Sequence, residues 1–140
     1  MLVKGRTSTY DFNFHLVFVT KYRQSVFTTD EMQAYMENMI RDIALDNDIT
    51  IQNISIMPDR VHCLISFPPK LSASVVVKTL KGGAARRWFK HFPETKTQLW
   101  GGHLWSPSFF MSTLGNMSKD IVDTYINNQI TEYNLGRPRQ

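Results

Sequence analysis

Met57-Pro58-Asp59-Arg60-Val61-His62-Cys63-Leu64-Ile65 is the stretch on which the reading of this chain turns. Pro and Asp side by side favour a type I-like turn, since proline pre-sets φ at the first central position and aspartate suits the second. A run of apolar residues follows at once. Val61, Cys63 and Ile65 alternate with His62 and Leu64, which is the period of a strand with one packed face. Ile49 to Met57 before the turn reads the same way, so the two segments form a hairpin. His62 then lies on the face opposite Val61, Cys63 and Ile65. Cys63, the single cysteine, is expected to be a small buried hydrophobe in a reducing compartment.

Working outward, Tyr10 to Thr20 also alternates. Tyr10, Phe12, Phe14, Leu16 and Phe18 share one face, and His15 lies on the more polar one. Thr28 with Glu31 suggests a capping box opening a helix. Met32, Tyr35, Met36, Met39, Ile40 and Ile43 then recur at helical spacing as a core stripe, which the Asp46-Asn47-Asp48 cluster ends. Ser72 is placed to cap a second helix through Val76, Val77 and Leu80. Gly82-Gly83 is expected to kink or break it before Ala84 to Phe92. Ser108 to Thr113 reads as a fourth strand, begun late because of Pro107. Asn116 or Ser118 caps a last helix running to about Tyr133.

The order β-α-β-β-α-β-α over a single domain, residues 1–140, predicts an α+β fold. It is the ferredoxin-like split βαβ sandwich, an antiparallel sheet with two helices on one face. A C-terminal helix carrying Tyr125 is added to it. The other sheet face is left for a ligand or a partner, and His15 and His62 are expected to project there.

Composition narrows the function classes. With 140 residues and 42% hydrophobic content the chain can bury a core. No apolar run is long enough to span a bilayer and no secretory signal is evident, so a cytoplasmic location without a membrane partner is expected. The net charge of +4 permits a nucleic-acid partner without demanding one. Its distribution says more: Lys78, Lys81, Arg86, Arg87 and Lys90 fall in one short segment without an acidic residue. Trp88 and Phe89 are interleaved. Basic groups neutralise phosphates and aromatic faces stack on unpaired bases. The competing reading is a solvated helix face with Trp88 in the core.

Tyr125 and Gln129 stand one helical turn apart and emerge on one side of the last helix. Val122 and Tyr133 continue the stripe, so simple packing is one explanation. Gln129 fits that explanation least, because an apolar seam does not want an amide, whereas a hard divalent cation accepts its carbonyl oxygen.

Five motifs in order make the chain resemble a known family. They are His15-Leu16-Val17-Phe18 with Lys21-Tyr22-Arg23; Met57 to His62; Leu80-Lys81-Gly82-Gly83-Ala84-Ala85-Arg86-Arg87; Leu99 to Trp105; and Tyr125 followed by Gln129. The chain is similar to the single-tyrosine, HUH-type transposases of small bacterial insertion sequences and their repeat-associated relatives. The resemblance implies a homodimer that cleaves and rejoins single-stranded DNA beside hairpins through a 5′-phosphotyrosine, in a bacterial cytoplasm and on the nucleoid when DNA-bound. It implies Tyr125 as nucleophile, His62 and Gln129 as ligands of Mg²⁺ or Mn²⁺, and the Lys78–Lys90 segment as the DNA contact. The chain departs from the pattern at Arg60, which stands where the family has its first histidine. A guanidinium has no accessible lone pair for a metal. Either Arg60 clamps the scissile phosphate while His62, Gln129 and others such as His15, His103 or Asp59 hold a weaker metal, or the chain is a catalytically impaired hairpin-binding protein.

Overall fold

The computed structural model describes residues 3–4, 9–10, 13–113 and 124–128. Two short strands, β1 (Val3–Lys4) and β2 (Thr9–Tyr10), pair with each other. The body of the chain follows as β3 (Phe14–Val19), α1 (Asp30–Asp46), β4 (Thr50–Met57), β5 (Arg60–Ser66), α2 (Ala73–His91) and β6 (Phe110–Thr113). The main sheet has the order β4-β5-β3-β6 and is antiparallel throughout. The two neighbours at its centre, β3 and β5, are separated in sequence by a helix and a strand, which is the expected ferredoxin-like topology.

The packed face of the sheet carries Leu16 and Phe18 from β3 and Val61, Cys63 and Ile65 from β5. Against it lie Met36, Ile40 and Ile43 of α1 and Val76, Leu80, Ala84 and Trp88 of α2. Burying each large apolar side chain of this kind contributes about 1.5–3 kcal/mol before conformational entropy is charged. Trp88 is fully buried, edge-on to Phe27 at 4.9 Å, and its indole N–H donates to Thr95 Oγ1 at 2.9 Å. It is therefore a core residue, not a stacking platform.

Several local expectations are corrected. The first helix is capped by Thr29, whose hydroxyl accepts from the Met32 N–H at 3.1 Å, instead of by Thr28. The first long strand begins at Phe14, and the separate β2 contains Tyr10. The last strand begins at Phe110, two residues later than Ser108. The Gly82-Gly83 pair does not interrupt α2, which runs unbroken. A Cβ on Gly83 would stand 2.9 Å from Cδ1 of Ile43, so this glycine lets α1 and α2 approach closely. The helical cost of about 1 kcal/mol is offset by that packing.

The second sheet face is less open than the alternation suggested. Val17 and Val19 are as fully buried as Leu16 and Phe18, because β3 is central and shielded on both sides. His15 and His62 do project to this face, as expected, and are partly exposed there.

Candidate functional site

Register fixes what shares the second face. His62 lies opposite Val17, which lies opposite Phe110. Arg60 lies opposite Val19. His15 pairs with Leu64, one diagonal step from His62. Antiparallel partners project to the same side, so two imidazoles, a guanidinium and the Phe110 ring occupy one surface.

The imidazoles meet. His15 Nδ1 lies 3.2 Å from His62 Nε2, with ring centroids 5.4 Å apart and planes tilted by 46°. Partial burial lowers the pKa of His15. His62 is lowered by burial first, then by the His15 charge and the Arg60 charge. Both rings therefore favour the neutral form, which keeps a nitrogen lone pair available.

Arg60 is engaged from the other direction. Its Nη1 donates to Asp59 Oδ1 at 3.1 Å, while Arg23 Nε donates to Asp59 Oδ2 at 2.7 Å. Asp59, only 8% exposed, thus joins two guanidiniums. The loop bearing Arg23 is tied to the hairpin turn by Val26 N–H and Phe27 N–H, which both donate to the Pro58 carbonyl, and by Thr20 N–H to Asp59 O. Tyr22 and Arg23 both have left-handed backbones, φ 54° and 53°, an uncommon conformation for side-chain-bearing residues. Neither the arginine pair nor this turn is visible in sequence, because both depend on contacts thirty-odd residues apart.

Tyr125 lies in the helical residues 124–128. Its hydroxyl donates to the Ser108 carbonyl at 3.3 Å, and its ring sits 6.0 Å from Phe110. Phe110 is two strands from His62, roughly 9–10 Å across two strand spacings. The phenol thus borders the imidazole face at its β6 side. Gln129, and the predicted extension of the helix to Tyr133, lie outside the described residues. Among the described residues no cluster of three or more His, Cys, Asp or Glu is arranged to hold a metal.

The basic segment divides. Lys78, Arg86, Arg87 and Lys90 are exposed on α2. Lys78, Arg86 and Arg87 line a groove of about 360 Å³ where α2 meets Ile43 of α1 and Asn47, which caps the C-terminal end of α1. Lys81 is directed elsewhere. Its ammonium donates to the carbonyls of Ser106 at 2.7 Å and Ser108 at 3.2 Å, and burial pulls its pKa down to about 8. With Lys78, His103, Trp105 and Phe109 it borders a second cavity of about 420 Å³. His103 is thereby placed beside α2. Phe89, half-buried, lies under the Lys96 ammonium at 5.4 Å.

The arrangement is thus a ferredoxin-like sheet with a histidine pair on its free face, a tyrosine beside that face and a basic helix on the other side. The profile of the family described as "Transposase IS200 like" matches residues 8–129, and the chain belongs to that family. It is 37% identical over 126 residues to the ISDra2 transposase TnpA of Deinococcus radiodurans, covering 90% of this chain and 89% of that one. It is 27% identical to the transposase for insertion sequence element IS200 of Salmonella typhimurium, over 88% of this chain and 80% of that protein. Among solved structures, a Deinococcus radiodurans chain described as a transposase superposes with a TM-score of 0.82 at 38% identity, covering 91% of this chain and 97% of that one. A REP-associated tyrosine transposase bound to a REP hairpin shares the fold, with a TM-score of 0.51 at 17% identity over 95% of this chain and 76% of that one. The protein is accordingly a transposase-family, DNA-binding protein of the insertion-sequence type.

Proposed function

We propose that this transposase cleaves and rejoins single-stranded DNA at insertion-sequence ends, with Tyr125 as nucleophile and DNA hairpins as its recognition elements. The carrying observation is the phenol of Tyr125 beside the sheet face that bears His15 and His62. The Tyr125 oxygen attacks the scissile phosphorus as its proton departs. The P–O3′ bond breaks, the 3′ oxygen takes up a proton, and a 5′-phosphotyrosine remains. Attack by another 3′-hydroxyl reverses the exchange and releases the phenol, so no external energy source is needed. Phe110 and the Ser108 carbonyl orient the phenol. Lys78, Arg86, Arg87 and Lys90 neutralise hairpin phosphates.

The donor chemistry of the face fits a divalent ion in part. Neutral imidazole nitrogens of His15 and His62 and the amide oxygen of Gln129 are metal-binding types, whereas Arg60 is not. When bound, Mg²⁺ or Mn²⁺ would neutralise phosphate charge and lower the phenol pKa. A homodimer is part of this proposal, carried by the family resemblance. A cytoplasmic, nucleoid-bound location follows from this activity; no helix among the described residues is long and apolar enough to cross a membrane.

A denaturing gel of the protein with labelled single strands from its own flanking DNA, with and without Mn²⁺, tests the reading. A covalent adduct that disappears in Tyr125→Phe, with hairpin binding retained, is expected. An adduct that persists in Tyr125→Phe removes the nucleophile. The second reading, a hairpin-binding protein impaired in cleavage, is favoured by Arg60 alone and expects salt-sensitive hairpin binding without adduct under any metal.

A further inference from the structure

We propose that Lys81 is a positioning residue for Tyr125: its ammonium and the phenol share the Ser108 carbonyl, and its charge favours the phenolate that attack on a phosphate requires. This role presupposes Tyr125 as the nucleophile of the reaction proposed above. Lys81 Nζ donates to the Ser108 carbonyl oxygen at 3.2 Å and to that of Ser106 at 2.7 Å. The Tyr125 hydroxyl donates to the same Ser108 oxygen at 3.3 Å. Two donors on one oxygen place the ammonium and the phenol oxygen at most roughly 6.5 Å apart. A carbonyl that accepts from the phenol stabilises its neutral form and works against ionisation. It would also face the phenolate with its negative end. An ammonium on that carbonyl offsets both effects, because a fixed cation stabilises a developing anion over distances at which a hydrogen bond no longer acts. The phenol contact is long for an O–H···O bond, so charge weighs more here than the bond itself. Lys81 is not the base: as an ammonium it already holds its full set of protons, and the phenol proton leaves to solvent.

A lysine that merely ties the loop to α2 explains less. The loop is already tied without this side chain. Trp105 Nε1 donates to the backbone carbonyl of Lys81 at 3.0 Å, and the Ser106 N–H donates to the Val19 carbonyl at 2.9 Å. A tie needs donors and no charge, whereas half-burying an ammonium is costly. That cost shows in its pKa, which burial lowers to about 8, yet the group stays charged at neutral pH. The other titratable side chains bordering its cavity are Lys78 and His103, and among the described residues no carboxylate borders it. The ammonium therefore meets only neutral carbonyl oxygens in the contacts that hold it, and its field is left to act on the phenol beside it.

The first test uses the full chain without DNA, carrying tyrosine isotopically labelled at Cζ and followed by nuclear magnetic resonance. The Tyr125 signal is identified by its loss in Tyr125→Phe. Its titration is expected to show a step at about pH 8, where Lys81 loses its proton. Lys81→Met, of similar length and uncharged, should abolish the step. Lys81→Gln, which keeps N–H donors for the two carbonyls, should abolish it as well, and circular dichroism checks that both variants fold. A Tyr125 titration unchanged in both variants overturns the role. The second test is single-turnover adduct formation on single-stranded DNA. Below pH 8 and at saturating DNA, both variants should be slower by ~10-fold or more, with hairpin affinity at the wild-type value. The wild-type advantage should shrink as pH rises through the Lys81 pKa, because the neutral amine still donates to both carbonyls but has lost its charge. An advantage that is constant across that interval, or equal rates in wild type and Lys81→Gln, overturns the electrostatic role. The strand-transfer reading fails separately: a Tyr125 signal that obeys Lys81 without any adduct removes the reaction and leaves the coupling between the two groups. An adduct formed equally fast without the Lys81 charge keeps the reaction and removes the coupling.

Discussion

Arg60 Nη1 is bonded to Asp59 Oδ1 at 3.1 Å, and the same carboxylate holds Arg23 at 2.7 Å. Replacing Arg60 therefore leaves Asp59 with a partner. Arg60→His should change stability by about 1 kcal/mol or less, since the Arg60 side chain is partly exposed and such pairs are worth little. It also removes a cation from the imidazole face and adds a donor. Adduct yield on single-stranded DNA in Mn²⁺ should rise, read on a denaturing gel beside a urea denaturation midpoint. A fall in yield with an unchanged midpoint would identify Arg60 as a phosphate clamp instead.

Phe110 sets where the phenol stands. Its ring is 6.0 Å from that of Tyr125, and its backbone is fixed opposite Val17 in the sheet. Phe110→Ala removes a half-buried packing partner at the strand edge, so the fold should survive. The tyrosine loses its lateral support, and misplacement by about 1 Å is enough to cost on the order of 100-fold in rate. Single-turnover adduct formation should slow substantially while hairpin affinity stays at the wild-type value. An unaltered rate would mean that the Ser108 carbonyl alone places the phenol.

Lys78, Arg86 and Arg87 line one groove and are exposed. Alanine at any of them should weaken hairpin binding for all sequences alike. Each should also reduce the slope of log affinity against log salt by about 1, because one phosphate is then no longer neutralised by the protein. Lys81→Ala should not follow this pattern, because its ammonium is bonded to two backbone carbonyls. Titrations at several salt concentrations check both. A slope unaffected in all three exposed variants would move the hairpin to another surface.

The fold was legible in the sequence because its determinants are local and periodic. The Pro58-Asp59 turn, the alternation in β5 and the Met36-Ile40-Ile43 stripe each state their own geometry. The candidate site drew notice only where a residue type was out of place, as with His62 on a strand. The His15–His62 contact depends on a diagonal register across two strands 47 residues apart, and periodicity gives the face without the register. Lys81 looked like one more basic side chain of α2, although its neighbours Lys78 and Arg86 face solvent. What distinguishes it is the loop at Ser106 and Ser108 folding onto it, a tertiary event with no local signature. The misjudged glycine pair has the same origin. Helix propensity argues for a break, and the close approach of Ile43 prevails over it.

That approach can be measured. Gly83→Ala gains helix propensity yet places a methyl 2.9 Å from Ile43 Cδ1, inside contact distance and within the core. Overpacking of this kind costs typically about 1–3 kcal/mol. The variant should unfold at lower denaturant concentration than wild type, and Ile43→Val should recover part of the deficit. Gly82→Ala is the control. Its nearest neighbour is the flexible end of Arg86 at 3.5 Å, so it should be neutral or slightly stabilising.

Lys81 supplies the pH test. Burial lowers its folded pKa to about 8 from 10.5, and the two carbonyl bonds oppose that shift by favouring the ammonium. Below pH 8 both folded and unfolded chains carry the charge, and the full cost of half-burying it is present. Between about pH 8 and 10.5 the unfolded chain binds more protons than the folded one, so stability from this group rises with pH. Lys81→Met has a similar length and no titrating group. The stability difference, wild type minus Lys81→Met, should therefore grow in favour of wild type between pH 8 and pH 10.5, measured by urea denaturation at matched ionic strength. Other titrating groups cancel in the difference. A difference that stays flat across that interval would show that the Ser106 and Ser108 carbonyls hold the ammonium at its ordinary pKa. The carbonyl cradle at the foot of the Tyr125 phenol would then carry a fixed positive charge throughout the working pH range.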